Sequence, residues 1–253
     1  MALLKMKFRS MALVREVDVT LVLPLEPKFD FTAPKTITES YQQEEAPYKT
    51  LYLLHGFCGD QDDWTRFSNV ERYAMEKRLA VIMPAGYNGG YMNHEETDQY
   101  WTFLTEELPL MVAKTFPIST KREDTFVAGL SMGGYGTLRF SVNYPERFSY
   151  AVSLSMGMRE NSIETKDDRD IYYMLKQQKE AGVTMPKYYI CCGTEDLGRP
   201  GSENYGGHGG SKRLCEYMQE LGMDAEFYDG PGKHEWDFWD TFIRRTIYEW
   251  LPL

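Results

Sequence analysis

The chain has 253 residues, of which 42% are hydrophobic and 14% aromatic, so it can bury the core of one α/β sheet with helices on both faces. Its 38 acidic and 28 basic side chains give a formal net charge of −10, which argues against nucleic acid or an anionic membrane surface as a partner. No apolar stretch approaches the roughly 20 residues of a membrane-spanning helix. The N-terminus is interrupted by cations and has no apolar core long enough for a secretory signal.

Apolar runs alternate with helical patterns along the whole length. Residues 8–23 alternate in polarity and predict antiparallel edge strands. Residues 24–47 are polar, contain prolines, and predict a connecting loop. The later apolar runs predict strands buried on both faces of a parallel sheet, at 50–54, 79–84, 126–128, 150–155, 187–193 and 224–228.

Helices are predicted between these strands. One begins near Thr105, because Pro109 fits only in a first helical turn. The others lie within 63–77, after 135, and at 170–181, 211–222 and 235–251. This alternation predicts one α/β domain over residues 1–253, with a mostly parallel central sheet and helices on both faces.

The four cysteines are Cys58, Cys191, Cys192 and Cys215. Their spacing is not that of a metal site, so no metal is expected. Cys191 and Cys192 are adjacent in a predicted strand, where their side chains point to opposite faces. Buried free thiols are typical of a reducing compartment, which predicts a cytoplasmic protein.

A Gly-x-Ser-x-Gly pentapeptide at 129–133 lies between a predicted strand and a predicted helix. This is the nucleophile elbow of the α/β-hydrolase fold. The central residue, Ser131, is expected in a strained turn, and Gly129 and Gly133 are expected where neighbouring backbone leaves no room for a Cβ. The helix that follows points free N–H groups at the reaction centre.

The oxyanion donors follow from the same geometry. The N–H of Met132, the residue after the nucleophile, is one candidate. Gly56 follows the strand 50–54 and lets the next backbone N–H, that of Phe57, face the ligand crevice. His55 precedes this turn, and we expect it to support the loop by hydrogen bonding rather than to act as the base.

The serine needs a base and a carboxylate, and in this fold the chain order is serine, acid, histidine. Only His208 and His234 follow Ser131. His208 lies among glycines, a mobile setting, whereas a loop after the last strand can return His234 to the serine.

Asp196, just beyond the strand 187–193, is the predicted acid. Glu195 is expected to point away, and Asp229 is too near His234 along the chain to orient it. The predicted chemistry is acyl transfer through an acyl-enzyme, with no cofactor.

Two segments and three tryptophans bear on the substrate. The polar residues 157–186 are expected to pass over the active site, and the glycine-rich 198–210 segment leaves the pocket shape open. Trp64, Trp101 and Trp236 are candidates to stack on a sugar or an aromatic acyl group. Burial in the core is the alternative for all three.

The chain resembles the tributyrin-esterase group of the esterase D family over nearly its whole length. The stretches that carry the resemblance lie at 52–57, 71–74, 106–109, 115–117, 129–136, 193–196 and 234–236.

The resemblance implies a serine carboxylesterase for short-chain acyl esters, with relatives that hydrolyse S-formylglutathione or remove acetyl or feruloyl groups from plant polysaccharide. It implies the same triad and oxyanion donors, and it is the only reason to expect a homo-oligomer. The 198–210 segment departs from the family pattern. S-formylglutathione hydrolysis and a non-catalytic binding protein of the same fold are the alternatives.

Overall fold

A computed structural model of the chain describes residues 2–25, 36–37, 47–158, 165–198 and 206–253. Within these ranges, eight strands form one sheet. They are β1 (Ala2–Ser10), β2 (Arg15–Leu23), β3 (Thr50–Leu54), β4 (Ala80–Pro84), β5 (Thr125–Leu130), β6 (Tyr150–Leu154), β7 (Lys187–Gly193) and β8 (Ala225–Gly230).

The strand order across the sheet is β1-β2-β4-β3-β5-β6-β7-β8. β2 pairs antiparallel with both β1 and β4, and every other neighbouring pair is parallel. The predicted mostly parallel sheet is confirmed, as are the antiparallel strands at one edge, although the first of these begins at Ala2 rather than at Phe8. Because β3 and β5 are neighbours in the centre, the loops that leave their carboxyl ends meet at one edge of the sheet.

The edge strand β1 differs from the central strands in its burial. Its residues alternate between half-buried and exposed, and its outward face carries Lys5, Lys7 and Arg9. Charged side chains on an edge strand oppose pairing with another chain. The central strands β3, β4 and β5 are buried at every position, as the continuous apolar runs predict.

Helices cover both faces of the sheet. They are α1 (Asp63–Phe67), α2 (Val70–Glu76), α3 (Tyr100–Thr102), α4 (Leu108–Thr115), α5 (Met132–Asn143), α6 (Ile171–Glu180), α7 (Gly207–Glu220) and α8 (Trp236–Arg245). One apolar cluster joins α3 through α7 to the sheet, and a second joins α1, α2 and α8 to its other face. Neighbouring residues of β3 divide between the clusters, Tyr52 entering the first and Leu53 the second.

The helix predicted to begin near Thr105 begins earlier. α3 starts at Tyr100, and a π-helical turn over Phe103–Glu107 connects it to α4. Pro109 has no N–H to donate to the carbonyl of Thr105, and the guanidinium of Arg147 donates to that oxygen instead. This tertiary contact satisfies the carbonyl, so the helix can run through the proline.

Two other segments differ from the predictions or extend beyond the described residues. The C-terminal helix α8 gives way at Thr246 to a π-helical turn, Thr246–Trp250, instead of running to Leu251 as one α-helix. The predicted loop at 24–47 lies largely outside the described residues. Among the residues described, no helix is both long and apolar enough to span a bilayer.

The excursion at 157–186 packs along α5 in its described part. The hydroxyl of Tyr135 donates to the carbonyl oxygen of Arg169 at 2.7 Å, and the buried guanidinium of Arg139 binds the carboxylate of Asp168. The part predicted to pass over the active site includes residues 159–164, which lie outside the described residues.

Substitution of Gly133 tests how closely α5 packs against the sheet. A Cβ there would lie 2.6 Å from the carbonyl oxygen of His55 and closer still to that of Leu54. Gly133→Ala is expected to lower the free energy of unfolding by about 1–3 kcal/mol, the usual cost of overpacking, as measured by urea denaturation. Gly230→Ala is the control, because a Cβ there meets nothing nearer than 3.9 Å. Equal stability losses in the two variants would contradict the close approach.

Candidate active site

Ser131 lies in the sharp turn between β5 and α5, with φ 52° and ψ −115°. This is the strained conformation predicted for the centre of the pentapeptide, since a positive φ is uncommon for a residue with a Cβ. Two backbone hydrogen bonds hold the turn in place. The N–H of Ser131 donates to Leu154 at 2.8 Å, and its carbonyl accepts from the N–H of Gly157 at 2.8 Å.

The glycines of the pentapeptide are where the predicted crowding occurs. A Cβ on Gly129 would lie 2.6 Å from the carbonyl carbon of Gly133 and 2.9 Å from Cβ of Leu54. The prediction that these positions leave no room for a Cβ is confirmed.

The structure brings Ser131, His234 and Asp196 together. Nε2 of His234 lies 2.9 Å from Oγ of Ser131, and Nδ1 lies 2.8 Å from Oδ2 of Asp196. Since the carboxylate only accepts, Nδ1 carries the proton and Nε2 accepts from the serine hydroxyl. The side chain of Asp196 is 2% exposed, whereas that of His234 is 44% exposed and open to a ligand.

The loops that carry the acid and the imidazole are joined by backbone hydrogen bonds. The N–H of Thr194 donates to Gly230 at 2.9 Å, and that of Glu195 donates to Gly232 at 3.0 Å. A Cβ on Gly193 would lie 2.7 Å from the carbonyl carbon of Gly232, so only glycine fits there. These contacts fix the loop before His234 against the end of β7.

Two opposing influences act on the Asp196 carboxylate. Burial, the larger single influence, raises its pKa. Hydrogen bonds from the imidazole of His234 and the N–H of Gly198, attraction to the imidazole and the influence of the nearby Ser155 hydroxyl together outweigh burial and hold the pKa below its ordinary value. Asp196 is therefore ionised at neutral pH, as a group that orients and stabilises an imidazolium must be.

The alternative base and acids lie elsewhere. Nε2 of His208 contacts Oδ2 of Asp229 at 2.8 Å, so these two residues form a second histidine–aspartate pair, apart from Ser131. The helix predicted to begin at Ser211 begins earlier, because α7 starts at Gly207 and places His208 in its first turn. Glu195 is exposed, as expected of a side chain that points away.

The glycine-rich segment begins and ends at the acid. A Cβ on Gly198 would lie 3.0 Å from the N of Gly207, and one on Gly207 would lie 2.7 Å from the carbonyl oxygen of Asp196. The N–H of His208 donates to that same oxygen at 2.8 Å. Residues 199–205 of the segment lie outside the described residues, whereas 206–210 are described.

His55 supports the loop after β3, as predicted. The N–H of Gly86 donates to its Nε2 at 2.8 Å, so the ring proton is on Nδ1, which donates to the carbonyl of Gly56 at 2.7 Å. That carbonyl belongs to the same peptide plane as the N–H of Phe57, and the two point in opposite directions. His55 thus fixes the orientation of the predicted oxyanion donor.

The buried imidazole of His55 makes the stability of the folded protein depend on pH. Burial lowers the pKa of its imidazole, which is 1% exposed, so the folded protein holds it neutral while the unfolded chain protonates near pH 6.5. The stabilisation is complete above about pH 6.5 and is lost as the pH falls towards the lower folded-state pKa.

The free energy of unfolding should therefore decrease more between pH 7 and pH 5.5 in the native protein than in His55→Asn, measured by urea denaturation. Equal slopes would contradict this role. His94→Asn, at an exposed histidine, is the control.

The two predicted oxyanion residues flank Ser131. Met132 is the first residue of α5, so its backbone N–H has no partner within the helix and lies at the positive end of the helix dipole. Phe57 follows Gly56, whose Cβ would lie 3.4 Å from Cβ of Ser131.

The three tryptophans do not form one wall. Trp64 is fully buried and donates its indole N–H to Leu54 at 3.1 Å, and Trp101 is 8% exposed beneath the guanidinium of Arg139. Trp64 and Trp101 are therefore core side chains, which was the alternative stated for all three tryptophans. Trp236 is half-buried and packs against Phe67, whose side chain is 47% exposed.

Two residues around the acid were missed by sequence reasoning. Ser155 directly follows β6, beside the end of β7, and Trp239 lies on α8 one turn after His234. A polar residue at the carboxyl end of a strand next to the acid's strand is a signal that could have found Ser155. Among the described residues, no group of three or more histidine, cysteine, aspartate or glutamate side chains could hold a metal ion.

The chain matches known proteins over nearly all of its length. The family model described as "Putative esterase" matches residues 23–247. An acetyl esterase of Caldicellulosiruptor saccharolyticus is 30% identical, over 99% of this chain and 98% of that protein.

Two solved structures from Staphylococcus aureus are each 29% identical. One is the apoenzyme of an S-formylglutathione hydrolase, with a TM-score of 0.81 over 97% of each chain. The other is fluorophosphonate-binding serine hydrolase F with bound substrate, with a TM-score of 0.82 over 97% of this chain and 96% of that one. The chain therefore belongs to this esterase family and is a serine esterase of the α/β-hydrolase fold.

Proposed function

We propose that the chain hydrolyses short-chain acyl esters with Ser131 as nucleophile, His234 as general base and acid, and Asp196 as the group that orients the imidazole. The observation that carries this proposal is the unbroken hydrogen-bond chain from the Ser131 hydroxyl through His234 to the ionised, buried carboxylate. A serine hydroxyl is a poor nucleophile without such a base.

The reaction takes two steps. Oγ of Ser131 attacks the ester carbonyl carbon while Nε2 of His234 takes the hydroxyl proton, and the carbonyl oxygen becomes an oxyanion. The N–H groups of Phe57 and Met132 stabilise that oxyanion, each donor being worth about 10² to 10³ in rate. His234 then protonates the leaving alcohol, and water attacks the acyl-enzyme by the same path.

A short acyl group, such as acetyl or butyryl, is the proposed substrate feature. The similarity to an acetyl esterase over the full length of both chains supports it, as does the resemblance to the tributyrin-esterase group. The ester is a small molecule or an acetylated or feruloylated sugar, with the half-buried Trp236 as the remaining aromatic candidate to stack on it.

S-formylglutathione is the second candidate substrate. The similarity to the staphylococcal S-formylglutathione hydrolase over 97% of both chains favours it. The same triad would attack the thioester carbonyl and release a thiol in place of an alcohol.

A kinetic comparison tests these substrates. We expect kcat/KM to be highest for p-nitrophenyl acetate or butyrate and to fall by at least about tenfold for the octanoate, which is the discrimination that a short-acyl esterase shows. Equal or rising activity towards long chains would contradict the short-acyl proposal. S-formylglutathione assayed beside an acetyl ester separates the thioesterase from the esterase.

The proposed setting is the cytoplasm, and the proposed assembly is a homo-oligomer. Cys191, Cys192 and Cys215 are buried free thiols, which a reducing compartment preserves.

Size-exclusion chromatography with light scattering tests the proposed homo-oligomer, and a monomer across micromolar concentrations would contradict it.

A further inference from the structure

We propose that Trp239 and Ser155 are positioning residues that hold the Asp196 carboxylate and the His234 imidazole in register through a relay of hydrogen bonds. This inference rests on the proposed function, because it assigns a role within the same site. The relay begins at the indole of Trp239, passes through the hydroxyl of Ser155 and ends at the acid.

The chemistry of the groups fixes the direction of the relay. Nε1 of Trp239 lies 3.1 Å from Oγ of Ser155, and an indole N–H can only donate. The Ser155 hydroxyl therefore accepts from the indole and has its own proton left to donate. We assign that proton to the carboxylate of Asp196, which can only accept and whose pKa the Ser155 hydroxyl lowers. Hydrogen bonds linked in one direction polarise and strengthen one another.

Trp239 also contacts the base directly. Its ring centroid lies 5.0 Å from that of the His234 imidazole, with the two planes at 89°. One side chain thus supports both members of the acid–base pair, the acid through Ser155 and the base through ring packing. Trp239 is itself held in place, because it is 6% exposed and packs edge-to-face on Trp236 at 5.3 Å.

The backbone of Ser155 is strained in a way that fits this role. Its φ is 47°, an uncommon value for a residue with a Cβ, and its N–H donates to Cys191 at 2.7 Å. The side chain is fully buried, where a hydroxyl without partners would be costly. Strain of this kind persists where the surroundings impose it and often marks a functional position.

Cys192 is a buried titratable side chain near this cluster. Burial is the main reason that the pKa of its thiol is raised to about 12, and the charge of the Asp196 carboxylate acts in the same direction. The thiol therefore stays neutral near pH 7 and adds no charge beside the acid.

Ser155→Ala and Trp239→Phe test the relay. We expect kcat/KM for p-nitrophenyl acetate to fall about ten- to a hundredfold in Ser155→Ala, the factor that corresponds to losing one hydrogen bond to a charged group. The fall in Trp239→Phe should be smaller, and KM should stay within about twofold in both.

The acidic limb of the kcat/KM–pH profile should move to higher pH in both variants. Ser155→Ala removes the hydroxyl beside Asp196, and Trp239→Phe removes the indole that orients this hydroxyl. In both variants the carboxylate becomes more basic and holds the protonated imidazole more strongly. Trp250→Phe is the matched control, because it removes a buried indole from the same apolar cluster without touching Asp196 or His234. Its acidic limb should stay at the native pH.

A measurement on the native protein does not depend on how well the variants fold. With ¹⁵N-labelled tryptophan, the indole N–H resonance of Trp239 should shift over the pH range of the acidic limb. The resonance is assigned by its loss in Trp239→Phe, or by elimination with phenylalanine at each of the other four tryptophans.

An indole resonance that does not respond to pH in that range would overturn the relay. So would unchanged kcat/KM and an unchanged acidic limb in Ser155→Ala and Trp239→Phe. Ser131→Ala separates the relay from the proposed function, because this variant should lose turnover and keep the pH response of the indole. If turnover survives in Ser131→Ala the proposed function is wrong, whereas a silent indole beside serine-dependent turnover overturns the relay alone.

Discussion

Ser131→Ala is expected to lower kcat for p-nitrophenyl acetate by about 10⁶, as removal of a triad serine does in other serine hydrolases. Without Oγ no acyl-enzyme forms, and Nε2 of His234 loses the partner that lies 2.9 Å away. Residual turnover should come only from ester binding and the oxyanion donors. Initial rates, and labelling with a serine-reactive fluorophosphonate followed by intact mass, measure the loss.

Ser149→Ala is the matched control for that substitution. Ser149 lies before β6, where its hydroxyl contacts the carbonyl oxygens of Glu123 and Thr125. Its variant should keep native kcat and take up one fluorophosphonate per chain. Undiminished ester turnover in Ser131→Ala would instead contradict the assignment of Ser131 as the nucleophile.

Asp196→Asn is expected to lower kcat by about 10⁴, with KM nearly unchanged. Asparagine keeps the size of the side chain but presents an amide, which has no negative charge to stabilise an imidazolium. An amide N–H facing the ring would also favour the tautomer with its proton on Nε2, where the serine proton must go. Initial rates and a thermal melt, which should show a folded protein, measure this effect.

The second histidine–aspartate pair supplies the control. Asp229→Asn removes the partner of His208 and leaves the Asp196–His234 pair intact, so kcat should stay within about threefold of native. If kcat fell as much in Asp229→Asn as in Asp196→Asn, the assignment of Asp196 as the acid would be contradicted.

Local sequence patterns were sufficient for the sheet and for the residues that meet at its carboxyl edge. The runs at 50–54 and 187–193 match β3 and β7, since a strand buried on both faces has an unmistakable apolar pattern. The elbow at Ser131 and the fixed chain order of serine, acid and histidine then left few choices.

What sequence reasoning missed depends on contacts between distant segments. Glycine is a poor helix former, so nothing local indicates that α7 begins at Gly207, where the close approach to Asp196 requires glycine. The sequence around Thr105 likewise does not indicate that the guanidinium of Arg147 hydrogen-bonds to its carbonyl oxygen. This contact allows the helix to continue past Pro109. Trp64 and Trp101 could not be divided between core and cleft from composition alone.

The way the chain leaves the acid at Gly198 and returns at Gly207 bears on how such an enzyme can diversify. A Cβ on Gly198 would lie 3.0 Å from the N of Gly207, and the backbone carbonyl of Asp196 accepts from the N–H of His208, so contacts between described residues hold the acid on both sides of 199–205. Changes in the length or sequence of 199–205 should therefore leave the carboxylate in place, since the closure entropy of a connection rises only slowly with its length. The position of the acid and the sequence of 199–205 are thereby separable traits, open to selection one at a time.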